Sequence, residues 1–408
     1  MANLTRVTSW LIKGKSALAG AVERILRDKL MDAVSVKDFG AKGDGVTDDS
    51  DAIHAALATK KSVLFNSGNY RISRLLYPYV DGQVVFGEGQ ENTRIFNNIN
   101  NEPLWCFGNP SISSGARQWC RLSDISLEGN SSGATLWGIY SANAPLVNGS
   151  PNQAGQYEGV SSSTNNFYYG RTSFALADWT IAARGNQVEN VQVINILGGF
   201  TMHVSSWDFY ANKVRLWNSK QGLRNSGAAN SNTFENFYIS GINEVSLTEP
   251  NVAGTIPTGC QYNGFIVQQS GKGEFASIEF LKGQGSTVRS LYLDKNNEKG
   301  GTTDIFVGVA SVGLDIQSIR HRVELTSTEP VLIENQGQYT VIQDVMFSSN
   351  MNTIVLNSGT DNRTSCIVGM ISTVDGTTVN GLVQDTSTAK KLLRRDMVGT
   401  TQPLGEYL

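Results

Sequence analysis

Charge is scarce in this chain. Asp, Glu, Lys and Arg make up 17% of 408 residues, and the formal net charge is −3. The one basic patch, Lys390–Arg395, lies near the end, so a phosphate-driven nucleic-acid binder is not expected. Cysteine is rare too: Cys106, Cys120, Cys260 and Cys366 have no metal-ligand spacing and read as free, buried thiols, with a Cys106–Cys120 contact as the lesser alternative. Three scattered histidines argue against zinc, and no metal or other cofactor is expected. No apolar run is long enough to span a bilayer, so membrane insertion is not expected. Leu11 and Ile12 stand isolated, with Lys13 and Lys15 interrupting the would-be core of a signal peptide. Synthesis in a cytoplasm, without general export, is the expectation. Catalytic signatures are missing as well. No Gly-x-Ser-x-Gly elbow occurs, Gly14-Lys15-Ser16 has Ser9 where a phosphate loop needs glycine, and Gly87-Glu88-Gly89 has Asn92 in place of a third glycine.

What is present is a chain of turns. There are 42 Gly and only 9 Pro, among many Asn, Ser, Thr and β-branched residues. A solenoid absorbs such a length as one unit. The segment Val34–Leu64 is the most informative: Val34 and Val36 alternate with polar residues, and Gly40, Gly43 and Gly45 supply turns. Thr47 is then expected to cap a helix with Asp48, Asp49 and Asp51 in its first turn and Ala52, Ile53, Ala56 and Leu57 on one face. Those acids lack the alternating order of an EF-hand calcium loop. Two further patches follow, VVFGEGQENTRI at Val84–Ile95 and LSDISLEGN at Leu122–Asn130.

In that order, the three blocks resemble the start of the pectate-lyase-like superfamily as found in bacteriophage tailspikes. The resemblance covers Val34–Asn130. It implies an all-β, right-handed parallel β-helix with a helix capping its open end, and a homotrimer. It carries fold better than chemistry, because the superfamily holds lyases, hydrolases and proteins that only bind.

Three parts are expected. Residues 1–33 contain an amphipathic helix, about Lys15–Met31, with Leu18, Val22, Ile25 and Leu26 on one face. It is read as a neck or virion-anchoring segment, with a capping helix lying on the solenoid end as the alternative, because so short a helix needs apolar surface to lie against. Residues 34–370 form the β-helix body, and 371–408 a C-terminal cap or interchain tail. Within the body Asn190-Val191-Gln192-Val193, Lys213-Val214-Arg215-Leu216 and Asn236-Phe237-Tyr238-Ile239 recur at 23-residue spacing. Alternation turns the valines, leucine, Phe237 and Ile239 inward and stacks Gln192, Arg215 and Tyr238 outward. Asn190, Asn212 and Asn236 are candidates for side-chain ladders. Strand-like runs continue at Ser277–Leu281, Val288–Leu293, Ile305–Val309, Val331–Ile333 and Val341–Phe347.

Two stretches break the rhythm. Ser131–Asn186 is rich in Gly, Ser, Asn and rings (Trp137, Tyr140, Tyr157, Phe167, Tyr168, Tyr169, Trp179), a mixture that suits either sugars or packing onto the coil. Ser246–Gln261 reads as a second excursion. Glycoside hydrolysis needs two flanking carboxylates. Glu189 and Glu235 fall in one column with Asn212 between them, and two coils place them about 9.5 Å apart, at the upper inverting limit. Asp208 is nearby in sequence. The expected catalytic residues are therefore two of Glu189, Asp208 and Glu235, with Trp207, Tyr238, Arg215 and Trp179 binding substrate. Glu189 and Glu235 have inward strand parity unless the chain bends beside them. A lyase would instead use Lys213, Arg215, Tyr210, His203 and Arg224.

Together these readings predict a tailspike or tail fibre that binds host surface polysaccharide, capsule or O-antigen, and depolymerises it. Residues 1–33 would hold other virion tail proteins, placing the chain in the virion tail. The alternatives are a non-catalytic fibre or adaptor and a monomeric polysaccharide lyase.

Overall fold

A computed structural model of the chain describes residues 13–14, 22–25, 32–97, 103–108, 117–129, 137–142, 183–198, 200–225, 229–250, 256–270, 276–294, 303–322, 331–347, 353–373 and 383–394. The first block begins with the strand Ala33–Ser35 and a 3-10 turn, Val36–Phe39. Ser35 accepts from the Lys37 N–H while Asp38 accepts from the Ser35 N–H, a reciprocal capping box closed by Gly40 at φ 98°. One α-helix, Ser50–Ala58, follows and buries Ile53, Ala56 and Leu57.

Thr47 does not cap that helix. It sits in the strand Asp44–Asp48, and its hydroxyl donates to Asp44 at 2.8 Å. Asp49 takes the cap position, but its carboxylate accepts from the backbone N–H groups of Lys42 (2.7 Å) and Gly43 (3.0 Å). The tight glycine turn leaves two backbone donors that need an acceptor, and a carboxylate satisfies both. The expected helix over Lys15–Met31 is also corrected where it is described: Arg24–Ile25 is extended and pairs antiparallel with Lys13–Gly14. A helix this short is marginal on its own. The rest of that stretch lies outside the described residues.

From residue 33 onward every described strand pairs in parallel with a strand of a neighbouring coil, and those away from the two ends pair on both sides. The register of one outward position runs from Asn69 to Arg94, Ser126, Gln192, Arg215, Tyr238, Ile266, Tyr292, Arg320, Met346 and Ser372. Each coil lays down a strand on a first face, turns a corner onto a second face, and returns along a third. Strands such as Tyr210–Asn212, Arg215–Trp217 and Gln221–Asn225 build the three in turn. This is a solenoid of the parallel β-helix type.

Single residues make the corners. Between first and second faces stand Asp124, Asn190, Lys213, Asn236, Ser290, Ser318 and Asp344, all with φ between 53° and 58°, and Gly264 at 68°. A left-handed residue costs a non-glycine about 1–2 kcal/mol, offset here by ladders of backbone hydrogen bonds on either side. Each corner reverses the inside–outside alternation, so Val188 and Val191 both face inward across Glu189 and Asn190.

The interior is a set of aligned stacks. Val191, Val214 and Phe237 are fully buried, as are Val193, Leu216 and Ile239. Phe237 lies flat on Phe265 with centroids 4.8 Å apart, and Phe234 on Tyr262 at 5.3 Å. Burying each such side chain contributes about 1.5–3 kcal/mol. All four cysteines are free and buried. Val383–Asp385 and Leu392–Arg394 still pair with coil strands, so the body runs past the expected boundary at 370. Those strands are three residues long, too brief for alternation to show. Leu247–Glu249, within the expected second excursion, is a strand of the third face. Among the described residues no helix is long and apolar enough to cross a membrane.

Candidate functional site

On the first face the column Ser123, Glu189, Asn212, Glu235, Asn263 and Arg289 is continuous. Glu189 and Glu235 are half-buried and point outward. The bend that reverses their parity is the corner just after them, at Asn190 and Asn236. Arg121 pairs with Glu189 at 2.5 Å, and the Tyr210 hydroxyl donates to Glu235 at 2.9 Å. Burial pushes the Tyr210 phenol up, with the Glu235 hydrogen bond and the charges of Glu235 and Glu189 adding to it. Asn212 stands between the carboxylates and accepts from the Asn236 amide at 2.8 Å, which realises part of the expected ladder. Asn190 instead donates back to Asp124 at 2.7 Å.

The other expected site residues are dispersed. Asp208 is an exposed corner residue (φ 52°) on the far edge of the first face, 3.5 Å from Arg184. Four residues of extended chain separate it from Asn212, about 13 Å at full extension, so it is not brought beside the glutamates. Trp207 adjoins it in a ladder of bridges between Arg184 and Asn230. Arg215 and Tyr238 are neighbours on the second face. Arg215 lies 3.5 Å from Glu91, and Tyr238 donates to Gln268 at 2.8 Å and meets Trp217 edge-on at 6.0 Å. Trp179 lies outside the described residues. Lys213, Arg215 and Tyr210 do not share a face with His203 and Arg224, which are fully buried on the third.

The third face brings together residues the sequence reading had named apart, and carries beyond them a column, Glu279, Phe306 and Glu334, that it missed. Trp137, Tyr140, Phe200, His203 and Arg224 collect on its outer side, with His203 stacked on Tyr140 at 4.9 Å and Arg224 over Phe200 at 5.2 Å. Pairing is interrupted, with the register kept, at Gly138, Thr201 and Gly222, where Trp137 and Phe200 turn to the same side as Tyr140 and His203. Further along, the outward column reads His203, Arg224, Thr248, Glu279, Phe306 and Glu334. Glu279 is half-buried. Burial pushes its carboxyl up to about 7, and the charge of Glu244 adds to the rise. Glu244 itself accepts from the Gln221 amide and lies 3.7 Å from Lys220. Glu334 accepts at Oε1 from Ser358 Oγ (2.6 Å) and Gln336 Nε2 (3.0 Å). The signal for this column was parity: Glu279, Phe306 and Glu334 each follow an inward isoleucine, Ile278, Ile305 and Ile333.

Known proteins resemble this chain in three ways. A family model described as rhamnogalacturonase A/epimerase, pectate lyase-like, matches residues 33–245. The chain is 50% identical over 72 residues to a tail spike protein of an Escherichia phage, a match covering 18% of this chain and 9% of that protein. It is 31% identical over 123 residues to a pre-neck appendage protein of Bacillus phage B103, covering 30% of this chain and 14% of that protein. The matches thus span a small part of those relatives' length. In structure it is similar to the enzymatically active domain of tailspike protein 2 of bacteriophage CBA120, with a TM-score of 0.57 at 12% identity over 83% of this chain and 47% of that one. That last likeness is one of fold.

Proposed function

The chain belongs to the rhamnogalacturonase A/epimerase, pectate lyase-like family, and from that premise we propose that it is a bacteriophage virion appendage that binds and depolymerises a bacterial surface polysaccharide. The similarity to phage tail spike and pre-neck appendage proteins supports the virion setting. The observation that carries the glycan reading is the continuity of outward polar columns across adjoining faces. Glu189, Asn212 and Glu235 line one face, and Arg215, Tyr238 and Trp217 the next. Carboxylates and amides suit sugar hydroxyls, and half-exposed rings suit the apolar faces of sugars. Coil-to-coil spacing of about 4.8 Å repeats these groups along an extended chain.

In this reading Glu189 and Glu235, steadied by Arg121 and Tyr210, hold sugar hydroxyls, and Arg215 and Tyr238 extend the contact around the corner. Asp208 and Trp207 would touch glycan only at the opposite edge. The particle attaches through residues 1–33, and three copies of a right-handed coil form the spike.

A panel of purified Escherichia and Bacillus surface polysaccharides tests the function. New reducing ends without absorbance near 235 nm, roughly the value for an unsaturated uronate, mark hydrolysis; a rise in that absorbance marks elimination. Binding without either product favours the fibre or adaptor alternative, for which the pre-neck appendage similarity speaks. On the bound polysaccharide, Glu189→Gln and Glu235→Gln are expected to weaken affinity about tenfold each, measured by titration calorimetry.

A further inference from the structure

Two pairs of glutamates on this coil are two strands apart, and they differ in what surrounds them. Glu189 and Glu235 have an amide, Asn212, between them, and each has a side-chain donor of its own in Arg121 or Tyr210. Glu279 and Glu334 have an aromatic ring, Phe306, between them. All three of these residues are half-buried, so they are reachable from outside the coil. Their separation is about 9.5 Å by strand spacing, at the upper end of the range that leaves room for a water between acid and base.

We propose that Glu279 and Glu334 are the general acid and general base of an inverting glycoside hydrolase site on the third face, with Phe306 as the platform under the sugar ring. The assignment rests on the glycan reading above and gives its chemistry a location. Three observations support it. Phe306 places an apolar surface midway between the carboxyls, where a sugar ring would lie. Glu334 has both of its donors, Ser358 and Gln336, on Oε1, which fixes the carboxylate and turns Oε2 to other work. Glu279 is held toward its protonated form near neutrality by burial, with Glu244 adding to it, and two carboxyls with divergent surroundings are the pattern of an acid–base pair.

The step balances with solvent water as the only co-reactant. Glu279 gives its proton to the glycosidic oxygen as the C1–O bond breaks. A water on the opposite face of the ring bonds to C1 and gives a proton to Glu334. The products are an alcohol and a hemiacetal of inverted configuration, with Glu279 ionised and Glu334 protonated. Proton exchange with solvent restores both.

The test uses the full chain and whichever polysaccharide of the panel the wild type depolymerises. Proton NMR of the first product is expected to show inversion at C1. Glu279→Gln and Glu334→Gln should each lower kcat by about 100- to 10,000-fold, with wild-type melting temperatures, and Phe306→Ala should raise KM with a smaller effect on kcat. Azide added to Glu334→Ala should restore turnover and yield a glycosyl azide, a readout that lost stability alone would not produce. A retained configuration, or more than a tenth of wild-type turnover in either glutamine variant, overturns the assignment and leaves the glycan reading standing. A wild type that cuts nothing on the panel overturns the depolymerase reading and this site with it.

Discussion

Glu249 lies wholly inside the coil, where its Oε1 accepts from the Tyr262 hydroxyl (2.8 Å) and Ser286 (2.7 Å). The chain of donors continues from Asn225 to Tyr262 and from Asn232 to Asn225. Its Oε2 faces Gly283, where an added Cβ would stand 2.2 Å away. Burial pushes this carboxyl up to about 7, against two hydrogen bonds that favour ionisation. The folded chain therefore keeps a proton that the unfolded chain releases above its ordinary value of about 4.3. Stability from this group is present at low pH, falls as pH rises through the window from about 4.5 to 7, and stays low above it; the full span is on the order of 3 kcal/mol. Glu249→Gln should remove that slope. Denaturant melts at pH 4.5 and 8 should show the variant gaining on wild type at the higher pH, and an equal gap at both values would refute it. At this scale the first-face column was legible because the 23-residue repeat aligns Glu189 with Asn212 and Glu235. Glu279, Phe306 and Glu334 were not, because their coils are 27 and 28 residues long and no fixed period brings them into line. Glu249 was hidden for another reason: nothing in a charged residue's identity says that the coil will enclose it.

Elements in this fold are short, and their ends decide them. Asn236 holds a left-handed corner at φ 55° and donates to Asn212. Asn236→Ala should cost about 2 kcal/mol, from the strained backbone and the lost bond together. Asn236→Gly, which removes only the bond, should cost about 1 kcal/mol less, and a pair of urea titrations would separate them. Gly222 is a tighter case: an added Cβ would sit 2.1 Å from the Ser246 carbonyl oxygen of the next coil. Gly222→Ala should destabilise by about 3 kcal/mol or more, because the neighbour is backbone and has nowhere to move. The sequence showed the turns around Gly40, Gly43 and Gly45, all of which have positive φ. It misplaced the helix cap at Thr47, since a Thr-Asp-Asp run offers three capping side chains; Thr47 turns to Asp44, the Lys42 and Gly43 N–H groups engage Asp49, and Asp48 accepts from the Ser50 N–H.

At the scale of the whole molecule, stability is a sum over coils and the contacts between them. Phe265 stacks on Phe237 and meets Tyr262 edge-on at 5.9 Å, so it couples neighbouring coils. Phe265→Ala should cost about 3–5 kcal/mol. Hydrogen exchange should show protection lost first in the coils flanking residue 265, with the helix-capped end near Ser50–Ala58 least affected; uniform loss would contradict a coil-by-coil account. The solenoid itself was legible from composition, three opening blocks and one repeat. Its continuation past residue 370, to the last described strand at Leu392–Arg394, was not, because three-residue strands carry too little alternation.

One geometric constant has a bearing on how such a rod diversifies. From Asp124 to Asp344 the corner joining first and second faces is always one residue, while the distance from one such corner to the next ranges from 23 residues to 66, the latter between Asp124 and Asn190. Over those coils added chain therefore enters along the two other seams, although one coil earlier the same corner holds seven residues, 87–93, against two, 124–125. A graft of foreign loop at either seam should leave the shaft intact, whereas a residue inserted beside Lys213 must be taken up by a wider corner of the kind at 87–93. Variation among such rods would be written as altered lengths along those seams.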